Sequence, residues 1–253
     1  MQIVAISNRK GGTGKTTVAV NLASELAALG KQVLLVDLDS QGHCAVGLGV
    51  VVAGDAPTAH DLFIAATATL DAAIHSTPVD NLWLAPANSG FDHGDCGRNS
   101  GRLAQAINAE GMAQRFDFII IDTPPSLDAL FMNALLAATR VLVPYVPHHL
   151  AFQGVRQLLR ALFPVMTKTN KNLKLLGFVP MMATEQMRQH RTVTGQVARD
   201  FGESRLLPPI RMDIRLAEAM AAGQPIRSYA PKSRAADDFS TLAADVLRRL
   251  ESQ

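Results

Sequence analysis

Residues 8–17 read Asn-Arg-Lys-Gly-Gly-Thr-Gly-Lys-Thr-Thr, and these types at this spacing suit the grip of a phosphate chain. A phosphate loop of the form G-x-x-x-x-G-K-[ST] carries glycine at its first position. Arg9 stands there instead, leaving Lys10-Gly11-Gly12-Thr13-Gly14-Lys15-Thr16-Thr17. Backbone N–H groups of Gly11 to Thr16 are expected to wrap the phosphates, and the dipole of the helix that follows adds positive potential. Gly11, Gly12 and Gly14 allow backbone conformations and close approaches that a Cβ would block. Lys15 is placed to neutralise the β- and γ-phosphate oxygens, the Thr16 hydroxyl to ligate Mg²⁺, and Thr17 to donate to the α-phosphate. One lysine is enough for the phosphates of its own site. Lys10, at the mouth of the loop, makes physical sense if it crosses to the phosphates of another subunit.

Two further segments carry carboxylates. Asp37 and Asp39 follow an apolar run in Leu35-Val36-Asp37-Leu38-Asp39-Ser40-Gln41-Gly42. Carboxylates at the C-terminal edge of a strand face the ligand crevice of an open α/β sheet. While that segment stays extended the two share a face. One is suited to the metal shell and the other to positioning the attacking water; the residues alone leave open which does which. Phe118-Ile119-Ile120-Ile121-Asp122 has the form of a strand that ends in an acidic residue beside Mg²⁺. Thr123-Pro124-Pro125 then makes a stiff turn suited to sensing a γ-phosphate.

These groups need a scaffold, and the chain alternates apolar runs with helical patterns. Strands are expected at Gln2–Ser7, Lys31–Asp37, Leu82–Pro86, Phe116–Asp122, Val141–Val146 and Leu173–Val179. Helices are expected over Gly14–Leu29, with Gly30 as the stop, and near 100–110, 126–138, 150–165, 186–201, 213–222 and 234–250. Runs that are apolar on both faces fit a parallel sheet covered on both sides. The expectation is a doubly wound, mostly parallel α/β fold with helices on both faces, a single domain over 1–253. Gly47–Asp80 is the least regular stretch, and Asn88–Asn99, rich in Gly, Asp and Asn, reads as a mobile surface loop.

Apolar residues make up 48% of the chain, as in a soluble globular protein. No apolar run approaches the roughly 18 residues of a membrane span. The N-terminus runs directly into the phosphate loop without the basic region of a signal peptide. Cys44 and Cys96 form no CxxC pair, which suggests a reducing cytosolic setting, and neither reads as a metal ligand. His148 and His149 are adjacent, so on an extended chain they point oppositely; they read as loop or helix-entry residues rather than a metal pair. The small net charge of +2 hides a split: residues 1–150 hold 8 Lys/Arg against 13 Asp/Glu, residues 151–253 hold 16 against 9. A basic C-terminal part of this kind marks a candidate polyanion-binding face.

Taken together these segments resemble the ParA/MinD family of deviant Walker A ATPases, along nearly the whole chain. The resemblance rests on Lys10–Thr17, on Val36-Asp37-Leu38-Asp39-Ser40-Gln41-Gly42 and on Ile121-Asp122-Thr123-Pro124-Pro125. It extends to Ile214-Arg215-Leu216-Ala217-Glu218-Ala219, Gly223-Gln224-Pro225-Ile226 and Tyr229-Ala230-Pro231-Lys232-Ser233-Arg234. It implies a homodimer with Mg²⁺ and ATP sandwiched at its interface and Lys10 of one subunit on the phosphates of the other. Asp39 matches the family's hydrolytic aspartate, which leaves Asp37 and Asp122 with Thr16 for the metal. Pro209 and Ile210 join the nucleotide-binding set. Hydrolysis in such proteins is slow until a partner stimulates it. Ser40 departs from the common proline after Asp39, which would loosen that loop.

Branches of the family differ in what the dimer grips. ParA-like members bind DNA nonspecifically; MinD-like members bind membranes through a C-terminal amphipathic helix. No bulky anchor follows Phe239, so no membrane contact is expected and 234–250 reads as a helix packed on the sheet. Arg188, Arg191, Arg211, Arg215, Lys232 and Arg234 supply a basic surface. Arg215 matches a DNA-contacting arginine of ParA-like proteins, and Arg188 or Arg191 lies near another, though Glu185-Gln186-Met187-Arg188-Gln189-His190-Arg191 departs from the usual pattern. A salt bridge of Arg215 with Asp213 or Glu218 is the competing reading. Few aromatics lie near, so contact with the DNA backbone is expected rather than stacking. Cys44 and Cys96 do not match the contexts of the superfamily's iron–sulfur reductases, and Tyr145 and Tyr229 form no kinase-type tyrosine cluster. No helix-turn-helix precedes the ATPase segment, so operator binding is not expected. The implied protein is a cytoplasmic, nucleoid-associated ATPase with a cargo adaptor. Ser7-Asn8-Arg9-Lys10 and Leu38-Asp39-Ser40-Gln41 look like members that position microcompartments such as carboxysomes; plasmid or chromosome cargo is close behind.

Overall fold

A computed structural model describes residues 1–92, 100–184 and 186–251. Seven strands form one sheet in the order β3-β4-β2-β5-β1-β6-β7. They are β1 (Gln2–Ile6), β2 (Val33–Asp37), β3 (His75–Ser76), β4 (Leu82–Ala85), β5 (Phe118–Asp122), β6 (Arg140–Tyr145) and β7 (Lys174–Pro180). Every neighbouring pair is parallel except the short edge strand β3, antiparallel to β4. The expected mostly parallel architecture is the one adopted.

The helices are α1 (Lys15–Ala28), α2 (His43–Leu48), α3 (Asp61–Ile64), α4 (Arg102–Ala109), α5 (Met112–Arg115) and α6 (Ala129–Ala137). They continue with α7 (Ala151–Pro164), α8 (Arg188–Phe201), α9 (Arg215–Ala221), α10 (Ile226–Tyr229) and α11 (Arg234–Glu251). Alternation within β5 shows why its run is wholly apolar. Ile119 and Ile121 enter one core with Leu34, Val36, Phe131 and Leu158; Phe118 and Ile120 enter the other with Leu22, Leu26 and Phe239. A strand buried on both faces has no position left for a polar side chain before its end. α11 closes the second core: Phe239, Leu242, Ala243 and Val246, at helical spacing, are all fully buried. Burying each of the larger ones contributes roughly 2 kcal/mol, so the apolar face of α11 is committed to the interior.

The adjacency of β2, β5 and β1 positions the chemistry. Parallel neighbours end at the same edge, so the loop after β1, Asp37 at the end of β2 and Asp122 at the end of β5 meet at the carboxyl edge of the sheet. The register pairs Asp37 directly with Asp122. The segment after β2 is held to the far end of α9 by two glycines in left-handed conformation. A Cβ on Gly49 would lie 2.7 Å from the Gly223 carbonyl oxygen, and one on Gly223 would lie 2.9 Å from the Gly49 Cα.

The irregular stretch 47–80 is a series of elements too short to show a period: the end of α2, α3, a 3₁₀ turn at Asp71–Ala73 and β3. Helices α5 and α10, of 4 residues each, escape notice for the same reason. Of the loop expected over 88–99, residues 93–99 lie outside the described residues, Cys96 among them. In the remainder Ser89, Gly90 and Asp92 are exposed, as expected of a surface loop, while Phe91 is buried with its ring stacked on His60 at 4.3 Å, and Asn88 Oδ1 accepts the Gly90 N–H at 2.8 Å.

Candidate active site

The loop leaving β1 enters α1 through Gly12 and Gly14 at φ +70° and +86°. A Cβ on Gly14 would also meet the Met181 methyl at 2.9 Å, so both demands placed on glycine hold there. Gly11 is different: a Cβ would meet nothing within 4 Å, and the protein alone does not require glycine at that position. The loop borders a cleft of about 630 Å³ lined by residues 11–17, 39–41 and 124–126 with His43 and Met220. Lys15 lines it and is 7% exposed, at the N-terminus of α1 where a phosphate is favoured.

Beneath this cleft lies a stack of acidic groups. Asp37 and Asp122 are both fully buried. Asp37 accepts the backbone N–H groups of Asp39 at 3.0 Å and Cys44 at 3.1 Å. Asp122 Oδ2 accepts the Thr16 hydroxyl at 2.6 Å and the Cys44 thiol at 3.5 Å, while its Oδ1 has no partner among the described residues. Burial pushes Asp122 up to about 6, against the opposing hydrogen bond from Thr16 and the charge of Lys15. Burial, reinforced by Asp122, pushes Asp37 well above the ordinary carboxylate value. Ligand atoms of Asp37, Cys44 and Asp122 all lie within 4.8 Å of one another.

Such a site fits Mg²⁺. The Thr16 hydroxyl already donates to a carboxylate, which leaves its lone pairs free for a cation above it, and the unpartnered Asp122 Oδ1 lacks the positive charge that would satisfy it. Thr16 and Asp122 would hold such an ion, which would supply neutralisation of phosphate charge. Cys44 lies beside these carboxylates, a place that no sequence spacing signals, because α2 folds it back under β2. Burial and both carboxylates hold its thiol well above the ordinary value.

The shared face expected of Asp37 and Asp39 does not occur. β2 ends at Asp37 and the chain turns at once. Asp37 therefore lies in the floor, and Asp39 lies on the cleft wall with Oδ1 accepting the Gln41 N–H at 3.2 Å.

The raised Asp122 value has a consequence for stability. A carboxylate whose folded value is lifted destabilises the fold when ionised. That penalty is full above about 6 and fades as pH falls toward 3.8. Asp122→Asn is expected to raise the melting temperature of the ligand-free protein by about 5 °C near neutral pH, with the gain shrinking toward about pH 4. The same variant is expected to lose Mg²⁺-dependent hydrolysis by about 100-fold. Thermal melts at both pH values check the first part; an equal gain at both would exclude the buried carboxylate as its source.

Lys10 stands apart from Lys15. It is exposed, does not line the cleft, and its Nζ lies 2.7 Å from His148 Nε2. Its N–H donates to Asn8 Oδ1 at 3.1 Å, and Asn8 Nδ2 donates to the Pro144 carbonyl at 2.7 Å. His148 and His149 occupy the turn between β6 and α7, as expected.

The basic residues differ in their surroundings. Arg215, at the start of α9, forms a two-pronged ion pair with Asp213, both contacts at 2.8 Å, the structural role that competed with DNA contact. That pairing holds the Asp213 carboxyl below its ordinary value. Arg211 is tied to Asp238 at 2.6 Å. Arg188 and Arg191 are exposed on the first turn of α8. Pro209 lines a hollow of about 250 Å³ together with Pro147, Thr184, His190 and Arg191. Ile210 is fully buried and its N–H donates to the Pro180 carbonyl at 2.8 Å while its carbonyl accepts from Ala183. Its side chain is thus enclosed beside Pro209. Sequence reasoning missed His43 and Met220 on the cleft wall. Met220 shares α9 with Arg215, so one short helix joins the cleft to the basic surface.

A family model for the AAA domain matches residues 1–175, and one for the cellulose biosynthesis protein BcsQ matches residues 181–247. The chain is 38% identical to the chromosome-partitioning ATPase Soj of Thermus thermophilus, over 98% of this chain and 96% of the relative. It is 34% identical to the chromosome partitioning protein ParA of Caulobacter vibrioides, over 98% and 95%. The chain belongs to the ParA/Soj family of partitioning ATPases. Among solved structures, a cobyrinic acid a,c-diamide synthase of Mycobacterium smegmatis with bound ADP and magnesium superposes with TM-score 0.82 at 31% identity, covering 100% of this chain and 96% of that one. Apo McdA of Cyanothece shares the fold, with TM-score 0.86 at 22% identity over 99% of both chains. In this ParA/Soj-type ATPase the cleft lined by Lys15 and Thr16 is the candidate nucleotide site.

Proposed function

We propose that this chain, as one ATPase domain over 1–253, is a positioning ATPase that dimerises on Mg·ATP, binds DNA without sequence preference, and is released when a cargo adaptor stimulates hydrolysis. Lys15 neutralises the phosphates of its own subunit and Lys10 those of the partner subunit. Thr16 and Asp122 hold Mg²⁺ above the Asp37 floor, and Asp39 orients the attacking water. The observation that carries this reading is the division of the two lysines: Lys15 is buried in the cleft, Lys10 is exposed outside it. A lysine that does not line its own cleft has its charge to offer another.

The dimer grips DNA through the basic C-terminal part, with exposed Arg188 and Arg191 on α8. Arg215 supports it from the start of α9, its guanidinium half-exposed in the ion pair with Asp213. A membrane-cycling role is disfavoured by α11, whose apolar face is buried in the core. Among the described residues no helix is long and apolar enough to cross a membrane. The cargo is a chromosome, a plasmid or a microcompartment such as a carboxysome, and the site of action is the nucleoid. Cosedimentation with plain duplex DNA and, separately, with anionic liposomes tests the reading. ATP-dependent retention on DNA, weakening steeply with salt, is expected; absence of ATP-dependent DNA retention at low salt, or retention on liposomes instead, would overturn it.

A further inference from the structure

The β6–α7 turn is tied to the mouth of the phosphate loop at two points: Asn8 Nδ2 on the Pro144 carbonyl at 2.7 Å, and Lys10 Nζ on His148 Nε2 at 2.7 Å. The second contact joins a lysine of the loop that does not line its own cleft to a titratable ring. We propose that His148 is a positioning residue that holds Lys10 within its own protomer, so that the lysine must leave the imidazole before it reaches a second subunit. This rests on the cross-subunit role of Lys10 in the proposed function.

The chemistry of the ring makes the hold reversible. A neutral imidazole offers one acceptor nitrogen. Two donors compete for it: the Lys10 ammonium at Nε2, and the Leu150 N–H at Nδ1, 3.2 Å away. The shorter, charge-assisted contact takes the lone pair, which assigns the proton to Nδ1 and leaves the Leu150 N–H at the entry of α7 without it. When Lys10 departs, the lone pair passes to Nδ1 and that N–H is satisfied. The loss of one contact is thus partly offset by the gain of another.

Protonation removes both acceptors. His148 is held below its ordinary value by burial first, then by Lys10 of the phosphate loop, by His190 of α8 and by His149 of its own turn, with a contact to its own backbone opposing. The neutral, holding form is therefore favoured in the monomer. In the dimer Lys10 has left for the partner's phosphates, the largest of these charged neighbours is gone, and His148 takes a proton more readily. The assembled state then binds more protons than the separated chains, so dimerisation strengthens as pH falls through the histidine range.

Two substitutions separate holding from titrating. His148→Gln retains an acceptor for Lys10 but does not titrate; His148→Ala removes the acceptor. With Mg·ATP and light scattering from about pH 6 to about pH 8.5, the wild-type dimer is expected to tighten as pH falls. His148→Ala is expected to dimerise about fivefold more tightly than wild type near pH 8, and both variants to lose the histidine component of the profile. His148→Ala indistinguishable from wild type across the range would overturn the hold. A second readout is independent of assembly: ¹⁵N spectra of the nucleotide-free protein are expected to show the His148 proton on Nδ1, moving to Nε2 in Lys10→Ala. An unmoved tautomer overturns the proposal even where an ATP dimer forms. A moved tautomer with no ATP dimer in wild type sinks the dimer reading, and with it the role of His148 in assembly.

Discussion

Asp39→Ala is expected to lower ATP hydrolysis by at least about 100-fold, the usual loss when a water-positioning group is removed, while nucleotide affinity changes by no more than a few-fold. The two effects separate because different elements supply them. In the proposed site the phosphate contacts come from residues 11–17, which line the cleft, and Lys15 and the N–H groups of the loop are untouched by the substitution. Asp39 lies across the cleft, beyond the end of β2, and its Oδ1 accepts the Gln41 N–H at 3.2 Å. Asp37 cannot stand in for it: that carboxyl is fully buried and takes two backbone N–H groups. Asp122 is likewise enclosed, beneath Thr16. Single-turnover phosphate release, measured beside nucleotide binding, checks the prediction. Hydrolysis within tenfold of wild type would move the water-positioning role elsewhere. The same variant is expected to accumulate in its ATP-bound form, and affinity capture with it is the route to the adaptor.

Lys10→Ala is expected to weaken the ATP dimer by about 30-fold or more, the loss expected when one partner of a charge pair enclosed at an interface is truncated. Monomer folding and nucleotide binding are expected to persist. Lys10 is exposed and makes its side-chain contact with the half-buried His148, so truncation leaves no cavity. Stability within about 0.5 kcal/mol of wild type is therefore expected. The backbone contacts of residue 10, to Asn8 and Thr13, do not depend on its side chain. A dimer of undiminished affinity would remove the cross-subunit role.

Much of the scaffold is legible in the residues because burial leaves a signature. Ile119, Ile120 and Ile121 can be wholly apolar only where both faces are covered, and each does enter one of two cores. Gly14 announces itself through a left-handed turn that only glycine takes without strain. What was not legible depends on long-range closure. Cys44 joins the carboxylates because α2 folds back against β2, and nothing local to Gly42-His43-Cys44-Ala45 reports that. Asp37 and Asp39 were separated by the end of β2, a boundary one residue wide that decides which carboxylate is enclosed. Met220 reaches the cleft through the contact of Gly49 with Gly223, residues far apart in the chain. Arg215 had two readings from sequence. The structure supplies the ion pair with Asp213, and solution measurements on DNA decide what the exposed part of the guanidinium adds.

The role of Lys10 as the link between nucleotide state and assembly is tested most directly by sedimentation velocity of Asp39→Ala, alone and combined with Lys10→Ala, each with Mg·ATP and with Mg·ADP. A dimer is expected for Asp39→Ala in ATP only, and a monomer for the double variant in both nucleotides. A double variant that still dimerises in ATP, or an Asp39→Ala protein that stays monomeric with ATP bound, would contradict it.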